Sequence, residues 1–224
     1  MNSNRKSYSW QRVNCSYEKG LYMRIERVES LDKRKFKVFT DEDFAFLLYN
    51  GELEKYGVCE GAVLEERTER ELLDLLSRRA HERALNLLKV QDRTEGEMCR
   101  RLFQDGYPDS IVQETIGFLQ EYHFVDDARY AANYLQVHGK RKSQAELKLY
   151  LQRKGISREI IREQLEETEH DSGEAIRVLL EKKHYRAGET APEEEKKIIA
   201  YLMRRGFSWE DIRREMKEQE DALG

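Results

Sequence analysis

Two adjacent carboxylates, Asp126 and Asp127, form the most chemically suggestive pair in this sequence of 224 residues. Paired acids hold divalent cations in metal-dependent nucleases. Neighbours on a helix, however, point about 100° apart, whereas oxygen-ligand sites need carboxylates that converge. No third acid is placed to join them. Their position at the start of an apolar helical pattern is where capping and the helix dipole favour an acid. The second suggestive set is cationic: Lys140, Arg141 and Lys142, then Lys148, Arg153 and Lys154. Leu147, Tyr150 and Leu151 take the buried stripe of that helix, so the cations fall off its core. Arg100 and Arg101 stand ahead of Gly106, and Arg204 and Arg205 ahead of Gly206, at places that read as equivalent. Together these ten side chains predict a discontinuous basic band, suited to DNA phosphates or to an acidic protein surface.

Nothing else suggests catalysis. Cys15, Cys59 and Cys99 are odd in number, far apart and outside any CxxC spacing, so neither a zinc site nor a disulfide framework is indicated. Cys99, beside Leu102 and Phe103, reads as a small core residue. No nucleophile–base pair, Walker loop, GxGxxG or HExxH occurs. The expectation is a protein that is not an enzyme and needs no metal or cofactor.

The elements that must position these residues repeat. Leu102 lies four residues before Gly106, and Val112 and Ile116 lie six and ten after it. Leu151, Ile161 and Leu165 stand in the same relation to Gly155, and Leu202, Ile212 and Met216 to Gly206. The glycines are 49 and then 51 residues apart. Thr94-x-x-Glu97 and Ser143-x-x-Glu146 are capping boxes that open helices, and the glycines end them. Internal repetition at this period predicts an array of supersecondary units, each unable to bury its apolar face alone. Tyr130 and Tyr134, four apart, share a helix face and read as buried rings with wet hydroxyls.

Composition agrees with such an array. Charged residues are 38% of the chain, against about 25% in an average domain. Hydrophobic residues are 39%, mean hydropathy is −0.87, and the net charge of −4 singles out no partner. An elongated stack of helices fits a thin core better than a compact globule does. The charge is unevenly spread: residues 1–40 carry a net +6, residues 41–77 a net −8 and residues 138–162 a net +6. No apolar run approaches 18 residues and no leader-like apolar segment opens the chain, so a soluble, cytoplasmic protein that touches no membrane is expected.

Five segments follow. Residues 1–18 read as a flexible tail. Residues 19–65 read as a small β-containing module, with strand-like alternation in LYMRIERVES and KFKVFT, a turn at Asp32-Lys33 and a third strand at Ala45–Tyr49. Its Lys33, Arg34, Lys35 and Lys37 read first as the guard of an edge strand, and second as a contact surface. Residues 66–122 comprise a long linking helix and the first three-helix repeat, residues 123–170 the second and residues 171–224 the third. The fold class is mainly α: three tandem three-helix repeats behind a small β module.

These residues also carry a resemblance. Ala84-Leu85-Asn86-Leu87-Leu88, Arg93-Thr94-x-x-Glu97-x-x-x-x-Leu102-x-x-x-Gly106, Phe124-Val125-Asp126-Asp127-x-Arg129-Tyr130-Ala131 and Leu151-x-x-Lys154-Gly155-Ile156 resemble the RecX family of bacterial recombination regulators. The match is good over roughly residues 80–167 and looser over the last repeat, whose connection Tyr185–Ala191 is long. His123 stands where the family usually has a glycine. Asp126, Asp127, Tyr130, Gly106, Gly155 and Gly206 form its structural signature here. The resemblance implies a curved helical array, acting as a monomer, that lies in the groove of the RecA recombinase filament on single-stranded DNA. It implies lowered strand exchange, ATP hydrolysis and co-protease activity in DNA repair and the SOS response, with weak direct DNA contact at most. Two other readings stand beside it. One is a DNA-binding protein or transcription factor using a helix pair around Lys154-Gly155-Ile156-Ser157. The other is a nuclease using Asp126 and Asp127.

Overall fold

A computed structural model of the chain describes residues 23–41, 45–168 and 171–221. The expected tail, 1–18, lies outside the described residues. Among the described residues are three strands and ten α-helices. The chain divides inside the long helix α2 (Glu66–Leu88), between Leu72 and Leu73, into two compact units.

The first unit is built on an antiparallel sheet of β1 (Ile25–Ser30), β2 (Lys35–Thr40) and β3 (Ala45–Tyr49), in that order. Alternation sorts the side chains by face. Val38, Phe46 and Leu48 are buried on one side, Val38 directly opposite Phe46. Arg27, Lys37 and Phe39 take the other side, where Arg27 pairs with Phe39 and Glu29 with Lys37. Helix α1 (Asn50–Tyr56) follows and ends at Gly57 in the left-handed conformation. The order of the strands corrects one expectation. Lys35 and Lys37 lie on β2, the middle strand, so they guard no edge; the pattern of charges cannot reveal which strand is paired on both sides.

The second unit holds three helical repeats. The first combines the end of α2 with α3 (Glu95–Gln104) and α4 (Asp109–Glu121). The second is α5 (Asp127–His138), α6 (Gln144–Lys154) and α7 (Arg158–Glu167). The third is α8 (Ser172–Lys182), α9 (Pro192–Arg204) and α10 (Trp209–Asp221). The positions read as recurrent around the three glycines are all buried, from Leu102 and Val112 at 0% exposure to Met216 at 6%. Each repeat closes its own apolar cluster. Met98, Leu102, Val112 and Leu119 anchor the first, Leu135, Leu147, Leu151 and Ile161 the second, and Ile176, Leu180, Leu202 and Ile212 the third. This differs from the expectation that a unit cannot bury its apolar face alone. Three helices at this spacing enclose a core, and each fully buried leucine contributes about 1.5–3 kcal/mol.

Gly106, Gly155 and Gly206 all have positive φ, at 85°, 98° and 89°. His123 keeps the same left-handed geometry at φ 56°, its N–H donating to the Gln120 carbonyl 3.0 Å away. Histidine is among the residues that tolerate this region best, so the turn forms without a glycine. No helix among the described residues is long and apolar enough to cross a membrane.

At Gly155, as at Gly206, the conformation and a close neighbour both exclude a side chain. A Cβ on Gly155 would stand 2.9 Å from the Gly96 Cα, whereas one on Gly57, also at positive φ, would meet nothing within 4 Å. Gly57→Ala is expected to cost about 1–2 kcal/mol, the left-handed penalty alone. Gly155→Ala is expected to cost clearly more, because backbone must also shift. Urea denaturation followed by circular dichroism checks the order of the two.

Candidate partner-binding surface

Helix ends dictate how the repeats join. The first N–H groups and last carbonyls of a helix have no partner within it. In α3, Thr94 Oγ1 accepts from the Glu97 N–H at 3.2 Å, and Glu97 Oε2 accepts from the Thr94 N–H at 3.4 Å. The Thr94 hydroxyl also donates to the Lys154 carbonyl, 60 residues on, at 2.6 Å. Lys154 Nζ lies 2.6 Å from Glu97 Oε1. Gly96 sits so close to Gly155 that a Cβ on it would be 2.8 Å from the Gly155 Cα. The carbonyl end of α6 is thus docked on the amide end of α3.

The next joint has the same parts. Ser143 Oγ accepts from the Glu146 N–H at 3.1 Å and donates to the Arg205 carbonyl at 2.5 Å. Glu146 takes two bonds from the Arg205 guanidinium, both 2.9 Å. A Cβ on Gly206 would lie 2.6 Å from the Ala145 Cβ. The end of α9 is docked on the start of α6. Both capping hydroxyls are buried, Thr94 at 0% and Ser143 at 1% exposure. Ahead of both joints, Asp105 occupies the place of Lys154 and Arg205 with the charge reversed, and Arg83 of α2 meets it at 2.7 Å.

Of the two signature acids, only Asp127 reaches the first joint. Asp126 Oδ1 accepts from the Arg129 N–H at 2.8 Å and caps its own helix. Asp127 Oδ1 accepts from the Glu95 N–H at 2.9 Å and caps α3 instead. Their oxygens diverge onto different helices, the opposite of a cation site. Burial, with the Glu95 N–H opposing it, raises the Asp127 carboxyl above its usual range. Burial likewise pushes the Cys99 thiol up to about 11, which makes it unreactive.

The predicted basic residues divide into two groups. Lys142 and Lys154 flank a ring stack: Tyr134 and Tyr150 are parallel at 4.0 Å, with Lys142 Nζ 5.4 Å and Lys154 Nζ 5.6 Å from the Tyr150 centroid. The Tyr134 hydroxyl accepts from Lys142 at 2.5 Å, so it faces a cation rather than water. Burial and a hydrogen bond with Tyr150 push Tyr130 up to about 12. Arg101 pairs with Asp105 at 3.2 Å, Lys140 with Glu174 at 3.1 Å, and Arg205 with Glu146. The second group remains at the surface: Arg100, Arg141, Lys148, Arg153 and Arg204 are exposed, as is Lys140 despite its ion pair. Arg100 uses one guanidinium nitrogen on the Lys154 carbonyl, at 3.1 Å.

Helical position corrects the expected equivalence. Arg153 and Arg204 both stand two residues before their glycine, but the first repeat has Gln104 there. Arg100 and Arg101 align with Leu149 and Tyr150 instead. Arg100, Leu149, Arg153 and Arg204 each lie two residues past a buried position of their helix, which turns them about 200° from the core. Leu149 is 48% exposed, and two more apolar side chains join it: Phe103 at 43% and Met203 at 50%. The outward sides of α3, α6 and α9, joined end to end, therefore present arginine among apolar groups. Sequence reasoning missed the apolar members and the second role of Glu97 and Glu146. The capping boxes were the visible signal for those glutamates.

The joints generate a pH prediction. Burial opposes the charge on Lys154, but the hydrogen bond and negative charge of Glu97 outweigh it and raise the ammonium from 10.5 to about 12. Its stabilising contribution is complete below pH 10.5 and is lost as pH rises through about 12. Tyr130, also raised, adds loss in the same direction. Denaturation midpoints should hold steady around neutrality and fall above about pH 10. In Glu97→Gln the neutral midpoint should be lower and the alkaline fall shallower. An unchanged alkaline fall in that variant would exclude Lys154 as its source.

Comparison with known proteins agrees with this geometry. The chain matches the models for the first, second and third three-helix domains of RecX over residues 80–119, 126–165 and 171–216, together more than half its length. It is 27% identical over 203 residues to the regulatory protein RecX of Clostridium acetobutylicum, covering 87% of this chain and 95% of that one. It is 31% identical over 134 residues to that of Clostridium tetani, covering 58% and 62%. A crystal structure of regulatory protein RecX superposes with a TM-score of 0.58 at 22% identity, over 87% of this chain and 99% of that one. With three domain models matched in order, and with each repeat folded as its model describes, the chain belongs to the RecX family.

Proposed function

We propose that this chain is a regulator that binds the RecA recombinase filament on single-stranded DNA and lowers its recombinase, ATPase and co-protease activities. Membership of a family whose relatives are named regulatory proteins supports a regulatory role. One observation carries the reading further. The end-to-end joining of α3, α6 and α9 sets Arg100, Arg153 and Arg204 with Phe103, Leu149 and Met203 along one run of helices. Arginine among exposed apolar side chains is the composition of protein interfaces. A repeated surface of this kind matches a partner that is itself a polymer of identical subunits.

The paired carboxylates do not favour hydrolysis, since Asp126 and Asp127 each hold a backbone N–H of a different helix. Direct DNA recognition through the Lys154–Gly155 turn is disfavoured for a similar reason. Lys154 is engaged with Glu97 and the tyrosines, and the turn is packed on α3.

The test is the DNA-dependent ATPase rate of the cognate recombinase on single-stranded DNA, with this protein titrated in at fixed salt. The rate is expected to fall at substoichiometric protein. The double variant Arg153→Ala/Arg204→Ala, at unchanged Tm, is expected to need at least about tenfold more protein for the same inhibition, in line with loss of two interface arginines. No change in rate up to excess of folded protein would overturn the proposal.

A further inference from the structure

The outer face of the N-terminal sheet is unexplained by the three-helix repeats. On that face the middle strand β2 presents Lys35, Lys37 and Phe39, spanning about 13 Å at the usual rise per residue. Lys35 lies opposite Tyr49 and Lys37 opposite Leu47 on β3, while Phe39 lies opposite Arg27 on β1. Two cations lie against the Phe39 ring, Arg27 Cζ 4.3 Å and Lys37 Nζ 4.8 Å from its centroid. Tyr49 is 45% exposed. A middle strand needs no charged guard, so the cations on it have no role in keeping the sheet from pairing with another edge.

The charge of this region is one-sided. Residues 24–40 hold six Lys/Arg and three Asp/Glu. Two of the three acids are engaged locally. Glu29 meets Arg27 at 3.1 Å. Asp32 Oδ1 accepts the N–H groups of Arg34 and Lys35 at 2.7 and 2.9 Å, and these bonds hold its carboxyl below the usual range. The Asp32 turn sets Lys33 and Arg34 at the tip of the β1–β2 hairpin.

We propose that this face is a binding surface for single-stranded nucleic acid, with a base stacked on Phe39 and backbone phosphates held by Arg27, Lys35, Lys37 and the hairpin-tip cations. The Phe39 ring is half-buried beneath Arg27 and Lys37, so an unstacked base takes a ring face as a cation over it moves onto a phosphate; neither contact is sequence-specific. In a duplex the base faces are covered, so the ring has no ligand there. The proposal is independent of the recombinase, because it concerns the first unit alone and needs no second protein.

The test is fluorescence anisotropy of a labelled oligodeoxythymidylate with the full chain and no recombinase, across a salt series. Wild-type protein should bind the single strand more tightly than a duplex of equal length. Lys35→Gln/Lys37→Gln should weaken binding at least tenfold and reduce the salt slope by about 1.4, two contacts at about 0.7 each. Phe39→Ala should weaken it about 5- to 150-fold with the slope unchanged, and Phe39→Trp should restore it. A matching ribo-oligomer bound through the same residues would support the proposal and show that the face accepts either sugar. Three results would overturn it. One is unchanged affinity in the sheet variants with wild-type circular dichroism and Tm. The second is tighter binding of duplex. The third is loss of binding in Arg153→Ala/Arg204→Ala instead, which would place nucleic acid on the repeats.

Discussion

A helix start leaves amide groups unpaired and a helix end leaves carbonyls unpaired, and in this protein the two deficits are brought together. The hydroxyls of Thr94 and Ser143 each accept from the amide three residues on in their own helix and donate to a carbonyl at the end of another. The glutamate that closes each capping box also holds the cation beside that carbonyl. Such a joint tolerates no bulk at its centre, which is why Gly155 faces Gly96 and Gly206 faces Ala145. Everything the second unit displays outward follows from these joints. They fix which sides of α3, α6 and α9 are turned away, and hence which arginines stay exposed.

Polar joints between apolar units change the mechanics of the array. Each repeat has its own apolar cluster, so a repeat does not depend on its neighbour for a core. What a neighbour supplies is capping, charge compensation and orientation. Replacing a buried capping hydroxyl typically costs about 1 kcal/mol, and removing one partner of a half-buried ion pair leaves the other uncompensated. Damage at a joint should therefore act on the relative placement of the repeats before it acts on the folding of any one of them.

The sequence made much of this legible because the fold reuses local chemistry. Glycines needing positive φ, capping boxes and leucines at fixed offsets are local signals, and they located the repeats and their buried residues. The first two strands were legible from alternation and the third from its short apolar run, for the same reason. What stayed hidden depends on pairing over long separations. Nothing local to Glu97 announces Lys154, 57 residues away, nor does Glu146 announce Arg205, 59 away. Lys154 and Arg205 therefore read as surface cations alongside Arg153 and Arg204, although they differ in partners. Strand order is likewise non-local, which is why lysines on a middle strand read as an edge guard. Asp127 shows the limit at closest range: it caps a helix, but one that begins 32 residues earlier than itself.

The central claim is that the outward sides of α3, α6 and α9 meet the recombinase filament. Hydrogen–deuterium exchange of this protein, alone and with the filament assembled on single-stranded DNA, tests it most directly. The account predicts slower exchange in peptides covering Arg100–Gln104, Leu149–Lys154 and Ala200–Arg205, with the apolar cores unchanged. Exchange that is unaltered in all three segments while the protein is demonstrably bound, with protection elsewhere in the chain, would contradict it.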